Sequence, residues 1–384
     1  MSIRGKAYIV GAYEHPLRLM PDKTITQVHA EVAMGALKDA GLSLKDVDGF
    51  ALVGGDLNMP AIAMADYLGL TCQYVDSTIT GGSSPVYHVG HAAAAIAEGK
   101  CSVVLITLAA RAKSGNVRGG GSENPDRNFE GVFGTSTIGM YALAATRHMH
   151  EFGTTSEQLA EVKVAAAHHA QYNPHALLQK AVTVEDVVNS RMVSDPLHLL
   201  DCCVVTDSGG AVIVASPEVA RSINRPKVKI LGQGEAPKHT DNGRIDLTYT
   251  GARWSGPRAF EEAGLKPSDI KYASIYDSFT ITVMETIEDL GFCEKGQGGK
   301  FVMDGALQAP HGKLPFNTDG GGLCNNHPAM GGITKIIEAV RQVRGEATPQ
   351  VQVPNCNIAL AHGTGGSLGT RHASATLILG QEDA

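Results

Sequence analysis

The sequence predicts an α/β protein built from two similar halves. Three observations carry this. Apolar runs with strand character alternate with longer runs of helical period along the chain. An internal repeat joins residues 36–50, ALKDAGLSLKDVDGF, to residues 259–273, AFEEAGLKPSDIKYA. Gly41, Leu42, Asp46 and Val47 match Gly264, Leu265, Asp269 and Ile270 at a constant offset. Each half also carries a glycine-rich stretch ahead of a helical run, TGGSS at 80–84 and DGGGL at 319–323.

The elements follow in order. Residues 6–13 (KAYIVGAY) read as a strand. Residues 26–40 follow a helical period and stop at Gly41, a natural C-terminal cap. Strands are expected at 47–54 and 102–108, with an Ala-rich buried helix at 86–99 between them. The segment 111–140 is glycine-rich and too long for an ordinary connection, and 141–192 reads as mainly helical. Together they predict an insertion over about 111–190 that folds over the site. Residues 1–225 are expected to form the first half, with this insertion, and 226–384 the second.

The bulk composition excludes several classes. With 43% hydrophobic and 18% charged residues, the 384-residue chain resembles a soluble enzyme. A net charge of −7 and a single tryptophan disfavour a nucleic-acid partner. No signal-peptide pattern opens the chain, and no apolar run reaches the ~18 residues of a membrane span. The seven cysteines form neither a CxxC pair nor a Cys/His zinc spacing. Reduced thiols, no metal and a cytoplasmic location are expected.

Four clusters carry possible chemistry: VDSTITGGSS at 75–84, ASIYDSFTITVMETIEDLGFCEKGQGG at 273–299, NTDGGGLCNNHPAMGG at 317–332 and NIALAHGTGGSLGTRHASATLILG at 357–380. In the second, Tyr276 and Asp277 sit in a turn from strand to helix, where a phenol can bind a carbonyl or move a proton. The plainer reading is a tyrosine packing at a strand end. In the third, Asn326 and His327 precede Pro328, and proline pre-sets a helix start, which would aim the imidazole at an oxyanion. A capping histidine is the alternative. Cys324, three residues before His327, is a rival nucleophile, though a small buried residue fits there too. In the fourth, His362 is expected at a strand end whose wall is Gly365 and Gly366. Cys202 and Cys203 read as small buried hydrophobes.

These clusters, in this order, resemble the thiolase superfamily, in the branch related to sterol-carrier-protein thiolases. LLDCCVVTDSGGAVIV looks like that branch's LDC strand, IYDSF its HDCF-type motif, NNHP the thiolase GHP, and AHGTGG its His-Asn-Gly-type loop. The resemblance implies a thiolase-like five-layer α-β-α-β-α sandwich, normally a homodimer. It implies a coenzyme A thioester as substrate, no covalently bound cofactor, and a small OB-fold, zinc-binding partner subunit of the kind such members use. The family's N-x-x-C-S-T-G loop falls on 76–82, which puts Ile79 where the nucleophilic cysteine belongs.

With isoleucine there, an acyl-cysteine cannot form at the usual place. An oxyanion hole made by His327 and Tyr276 would remain, and each donor in such a hole is worth about 3–4 kcal/mol. That suits retro-aldol cleavage of a β-hydroxyacyl-CoA, with Tyr276 or His362 as base. The Cys-less aldolases of the superfamily are expected to carry a second tyrosine where this chain has His327. Two alternatives stand beside this reading: an acyltransferase using Cys324, and a non-catalytic acyl-CoA or lipid binder.

Overall fold

The computed structural model describes residues 2–54, 59–115, 136–238, 245–368 and 372–384. The first half supplies β1 (Tyr8–Glu14), α1 (Ile25–Ala40), β2 (Gly49–Val53), α2 (Pro60–Leu68), β3 (Tyr74–Asp76), α3 (Ser84–Ala97) and β4 (Val103–Arg111). The insertion adds α4 (Thr137–Phe152), α5 (Ser156–Ala170), α6 (Val184–Val188) and the small ribbon β5 (Met192–Ser194) with β6 (Leu197–His198). Then come β7 (Asp207–Ala215) and α7 (Pro217–Ser222). The second half is β8 (Val228–Pro237), α8 (Ala252–Ala263), β9 (Tyr272–Ile275), α9 (Thr280–Asp289), α10 (Gly298–Phe301), α11 (Gly332–Arg344), β10 (Ile358–Gly365) and β11 (Ala373–Gly380).

The repeat read from the sequence is a structural repeat. α1 ends on Gly41 at φ 69°, α8 on Gly264 at φ 64°. Glycine takes this left-handed turn without the steric cost other residues meet. A short 3₁₀ turn follows each, Leu44–Asp46 and Pro267–Asp269, and then β2 and β9.

Nine strands run in the order β3-β2-β4-β7-β1-β8-β11-β10-β9. The halves meet where β1 pairs antiparallel with β8, through Tyr8 with Lys229 and Ile9 with Val228. Outward from that seam the two halves repeat one order: first strand, last strand, penultimate strand, second strand. The third strand of the second half is reduced to a bridge between Phe316 and Ala273. There the Asn317 side chain stands in for a strand: its Oδ1 accepts from Ile275 N at 2.8 Å, and its Nδ2 donates to Ile275 O at 2.8 Å.

Three apolar cores separate the layers. α1 packs on one face of the first-half strands, through Val32, Ala36 and Leu37 against Val10, Leu105 and Ile213. α3 and α11 lie centrally, with Val89, Ala92, Ile336 and Val340 packed among strands of both halves. α8 and α9 cover the second-half strands together with α4 and α5. The result is the five-layer α-β-α-β-α sandwich. Each buried Val, Ile or Leu in these cores contributes about 1.5–3 kcal/mol relative to water.

Three local expectations need correction. DGGGL does not begin a helix: Gly320 and Gly321 take left-handed φ of 94° and 61°, Gly321–Asn325 close a single π turn, and α11 starts only at Gly332. His327-Pro328 therefore lies in irregular chain rather than at a helix start. β10 does not end before His362 but runs on to Gly365. Its glycines allow this, because a Cβ on Gly363 would meet Ser83 Cα at 2.9 Å and one on Gly365 would meet Thr80 O at 1.7 Å. Within the insertion, 171–183 is not helical, and residues 116–135 lie outside the described residues.

Candidate active site

The start of α3, the β9–α9 turn, the chain after the π turn and the end of β10 converge on one cavity of about 170 Å³. Gly81 and Gly82 line it from the turn before α3, and Thr364, Gly365 and Gly366 from the end of β10 and just beyond. Tyr276, Ser278 and Phe279 come from the β9–α9 turn, and His327 and Ala329 from the chain before α11. Thr137 and Tyr141 reach in from α4, and Cys203 from the segment before β7.

At its centre the Tyr276 hydroxyl lies 2.8 Å from His327 Nε2. Burial holds the phenol protonated, well above its ordinary pKa. Burial also pushes the imidazole down to about 4, only partly offset by the neighbouring Asp277 carboxylate. Both groups are thus neutral at pH 7, and the proton between them sits on whichever atom the tautomer sets. The phenol is oriented from its backbone: Tyr276 N donates to His362 O at 3.0 Å.

Beneath this pair, Asp277 organises the chain that carries His327. Its Oδ1 accepts from Gly322 N and from Lys335 Nζ, each at 2.8 Å, and its Oδ2 accepts from Leu323 N at 3.1 Å. Lys163 of α5 donates to Leu323 O at 2.7 Å, tying the insertion to the same turn. Asn326 is an anchor rather than a cavity group. Its Nδ2 donates to Glu14 Oε1 and Ser208 Oγ, and its Oδ1 accepts from Thr206 Oγ1. Thr206 Oγ1 also accepts from His327 N at 3.0 Å.

The other residues singled out in the sequence fall elsewhere. Ile79 is 69% exposed and is not among the cavity's lining residues. Its loop is closed by Asp76, whose Oδ1 accepts from Thr78 N and Oγ1. His362 sits in mid-strand, with Nδ1 2.9 Å from Thr376 Oγ1, and is fully buried outside the lining. Cys324 is fully buried, likewise outside the lining, and burial raises its thiol pKa. Tyr141 and Cys203 were not foreseen as cavity residues. Tyr141 is held by a 3.2 Å bond from its hydroxyl to Gly366 O and packs on Phe279 at 4.4 Å between ring centroids. Nothing in the local sequence marks Tyr141, which arrives from the insertion, whereas Cys203 stands in the LLDCC stretch and reads there as a small buried hydrophobe. Among the described residues no group of three or more His, Cys, Asp or Glu is placed to hold a metal ion.

A sandwich of two repeated halves, with a histidine and a tyrosine facing glycine-walled turns at its centre, defines the thiolase class of architecture. Comparison with known proteins agrees. Residues 234–381 match the family model described as thiolase C-terminal domain-like. A steroid side-chain-cleaving aldolase of Thermomonospora curvata is 34% identical, over 94% of this chain and 96% of its own. An acetyl-CoA acetyltransferase of Methanothermobacter thermautotrophicus is 33% identical, over 94% and 97%. The solved structure of an Ltp2-ChsH2(DUF35) aldolase superposes with a TM-score of 0.90 at 33% identity, over 99% of both chains. Human mitochondrial 3-ketoacyl-CoA thiolase, at 16% identity and TM-score 0.72, shares the fold. The chain belongs to the thiolase superfamily, in the branch that also holds sterol carrier protein 2 and these aldolases.

Proposed function

We propose that this protein cleaves, or in reverse forms, a carbon–carbon bond in a β-hydroxyacyl-CoA by a retro-aldol reaction that uses no cysteine nucleophile. The observation that carries the reading is the 2.8 Å contact between Tyr276 and His327 in a cavity where Cys203, the one thiol among the described lining residues, is pushed up by burial to about 12. A thiol so protonated at neutral pH is a poor nucleophile.

The substrate's β-hydroxyl gives its proton to the Tyr276 oxygen as the phenol passes its own proton to His327 Nε2. The bond between the α and β carbons breaks, a ketone or aldehyde leaves, and the bond's electron pair forms the thioester enolate. The enolate sits beside the new imidazolium, and opposite charge in a buried site favours that protonated state. The proton then returns through the phenol to the enolate α carbon, which gives the shortened acyl-CoA and restores both neutral groups. No acyl-enzyme forms, so isoleucine at position 79 is no obstacle.

Two relatives support this chemistry: the Thermomonospora aldolase and the Mycobacterium tuberculosis 17-hydroxy-3-oxo-4-pregnene-20-carboxyl-CoA lyase, 34% identical over 91% of this chain. The Ltp2-ChsH2(DUF35) aldolase is a two-protein assembly, and likeness to it supports a partner subunit here. We take that partner to be a small OB-fold, zinc-binding protein that completes the coenzyme A site. A homodimer is supported by the sheet edge at β3, where Val75 is exposed. Among the described residues no helix is long and apolar enough to cross a membrane, which accords with a cytoplasmic setting.

The test is a product assay by mass spectrometry, with and without the partner, on matched β-hydroxyacyl- and β-ketoacyl-CoAs. Release of an acyl-CoA and a carbonyl product from the hydroxy substrates without added coenzyme A is the expected result. Cleavage of keto substrates alone, and only with free coenzyme A, would instead make the chain an acyltransferase, like the Methanothermobacter relative.

A further inference from the structure

In the reaction above, the Tyr276 oxygen takes the β-hydroxyl proton and His327 Nε2 receives the proton that Tyr276 gives up. The negative charge then develops at the thioester oxygen, which needs donors of its own. The cavity wall narrows the choice. Ser278 Oγ pairs with Thr282 Oγ1 at 3.1 Å. Thr137 stands exposed at the start of α4, and the Cys203 thiol is only a weak donor. Two hydroxyls remain among the described lining residues, those of Tyr141 and Thr364, which are buried at 3% and 1% exposure. Thr364 Oγ1 has no hydrogen-bond partner among the described residues. A buried, unpaired hydroxyl on a cavity wall points to a ligand oxygen in that cavity.

Tyr141 is the better placed donor to an anion. It comes from α4 of the insertion, and its hydroxyl reaches the chain just beyond β10, where it donates to Gly366 O at 3.2 Å. That is long against the usual 2.7–2.8 Å of an O–H···O bond, so the bond is given up at little cost. The ring does not depend on it. It packs on Phe279 with 4.4 Å between ring centroids and 30° between planes, and α4 fixes its other end. The hydroxyl can therefore turn to a bound oxygen while the ring stays in place. Burial keeps this phenol protonated, so Tyr141 donates and does not act as a base. Tyr141 also lies near enough to Tyr276 to add to the larger effects of burial and Cys203 that keep Tyr276 protonated. A phenol is more acidic than an alkyl hydroxyl and makes the stronger hydrogen bond to an anion. A cavity of about 170 Å³ admits only the reacting end of an acyl-CoA, so a thioester oxygen inside it lies close to this wall.

We infer that Tyr141 is a further catalytic residue: its hydroxyl turns from Gly366 O onto the thioester oxygen and, together with the His327 imidazolium, holds the enolate. No proton is transferred at Tyr141. One hydrogen bond replaces another, and the new one is strongest when the oxygen carries charge, which is the condition for lowering a barrier rather than only binding substrate. The inference rests on the acyl-CoA reading above, because it needs a thioester enolate.

Exchange of α-hydrogens in deuterium oxide tests the enolate apart from bond cleavage. Propionyl-CoA, which has no β-hydroxyl, is incubated with the unmodified protein, Tyr141→Phe and Thr364→Val, with and without the partner, and deuterium uptake is read by mass spectrometry. Tyr141→Phe keeps the ring and its packing on Phe279. It is expected to slow exchange at saturation by about 10²-fold or more, with the half-saturating concentration of propionyl-CoA changed by no more than a few-fold. The kcat for cleavage of a β-hydroxyacyl-CoA should fall alike, and Thr364→Val should stay within a few-fold on both counts. A larger loss in Thr364→Val than in Tyr141→Phe makes Thr364 the donor and overturns the inference. So does a Tyr141→Phe protein with a lowered melting temperature and unaltered rates, the mark of a bond that only ties α4 to the chain beyond β10. Exchange by the unmodified protein without cleavage of any β-hydroxyacyl-CoA would sink the retro-aldol reading, and Tyr141 is then judged by the exchange rates alone. No exchange by the unmodified protein overturns the inference. Should Tyr141→Phe not fold by circular dichroism, Tyr141→Met, which fills the space without a donor, takes its place in the same comparison.

Discussion

Lys335 of the central helix α11 reaches Asp277 at 2.8 Å, and both side chains are fully buried directly under the Tyr276–His327 pair. The two partners are not equivalent. Asp277 also accepts two backbone N–H groups, whereas among the described residues the Lys335 ammonium donates to Asp277 alone. Asp277→Asn should therefore strand a buried cation and cost about 3–5 kcal/mol. Lys335→Met should cost less, because the carboxylate keeps its backbone donors. Urea unfolding of the two variants checks the order, and the reverse order would mean the pair does not hold the turn.

Gly82 faces the Tyr276 ring. A Cβ there would lie 2.4 Å from Tyr276 Cε2 and 2.5 Å from Thr364 O. Gly82→Ala must move the ring, and displacement by even an ångström costs on the order of 10²-fold in rate. The expected result is a loss in kcat/KM of that size, with a melting temperature lowered far less than by Asp277→Asn.

Tyr276→Phe removes the group proposed to exchange protons with the substrate and should lower kcat by about 10²–10⁴. Because His327 stays neutral down to about 4 and Tyr276 stays protonated far into the alkaline range, neither titrates near neutrality. The kcat/KM profile of the unmodified protein is expected to be flat from about pH 6 to about 9, and a limb near 6.5 would show that an unperturbed histidine takes part.

Thiol chemistry separates the readings. Cys324→Ser should leave activity within a few-fold, since Cys324 lies outside the cavity, and Cys203→Ser should remove any sensitivity to small alkylating reagents. Ile79→Cys should add a surface thiol that reacts with Ellman's reagent, because the position is 69% exposed, yet yield no acyl-enzyme by mass spectrometry.

Stability should fall on the acid side. Burial lowers His29, His88 and His327 to about 4, and His169, His362 and His372 to about 3. Below the unfolded histidine value near 6.5, the unfolded chain binds protons that these six refuse, so unfolding becomes easier as pH drops. His91 works in the opposite sense. Its bonds to Asp76 and Glu235 raise it to about 9, and its contribution is present below about pH 6.5 and lost as pH rises through about 9. Urea melts at about pH 5, 7 and 9.5 should show the largest loss at the lowest of the three.

The sequence by itself determined the plan of this protein. Helix period, the glycine stops at 41 and 264 and the repeated turn-to-strand unit are local in origin, so they were legible before any contact was known. Tyr276 and His327 were legible too, because each stands in a motif with turn chemistry around it. Only the tertiary structure decided which candidates meet. Ile79 turns outward because its loop closes on Asp76, and His362 is drawn into mid-strand because Gly363 and Gly365 let β10 run on under the start of α3. Tyr141 and Cys203 reach the cavity from segments well separated along the chain. Periodicity reports which face of an element is buried, but which buried faces are brought together depends on packing across the layers, and that information lies between segments rather than within any of them.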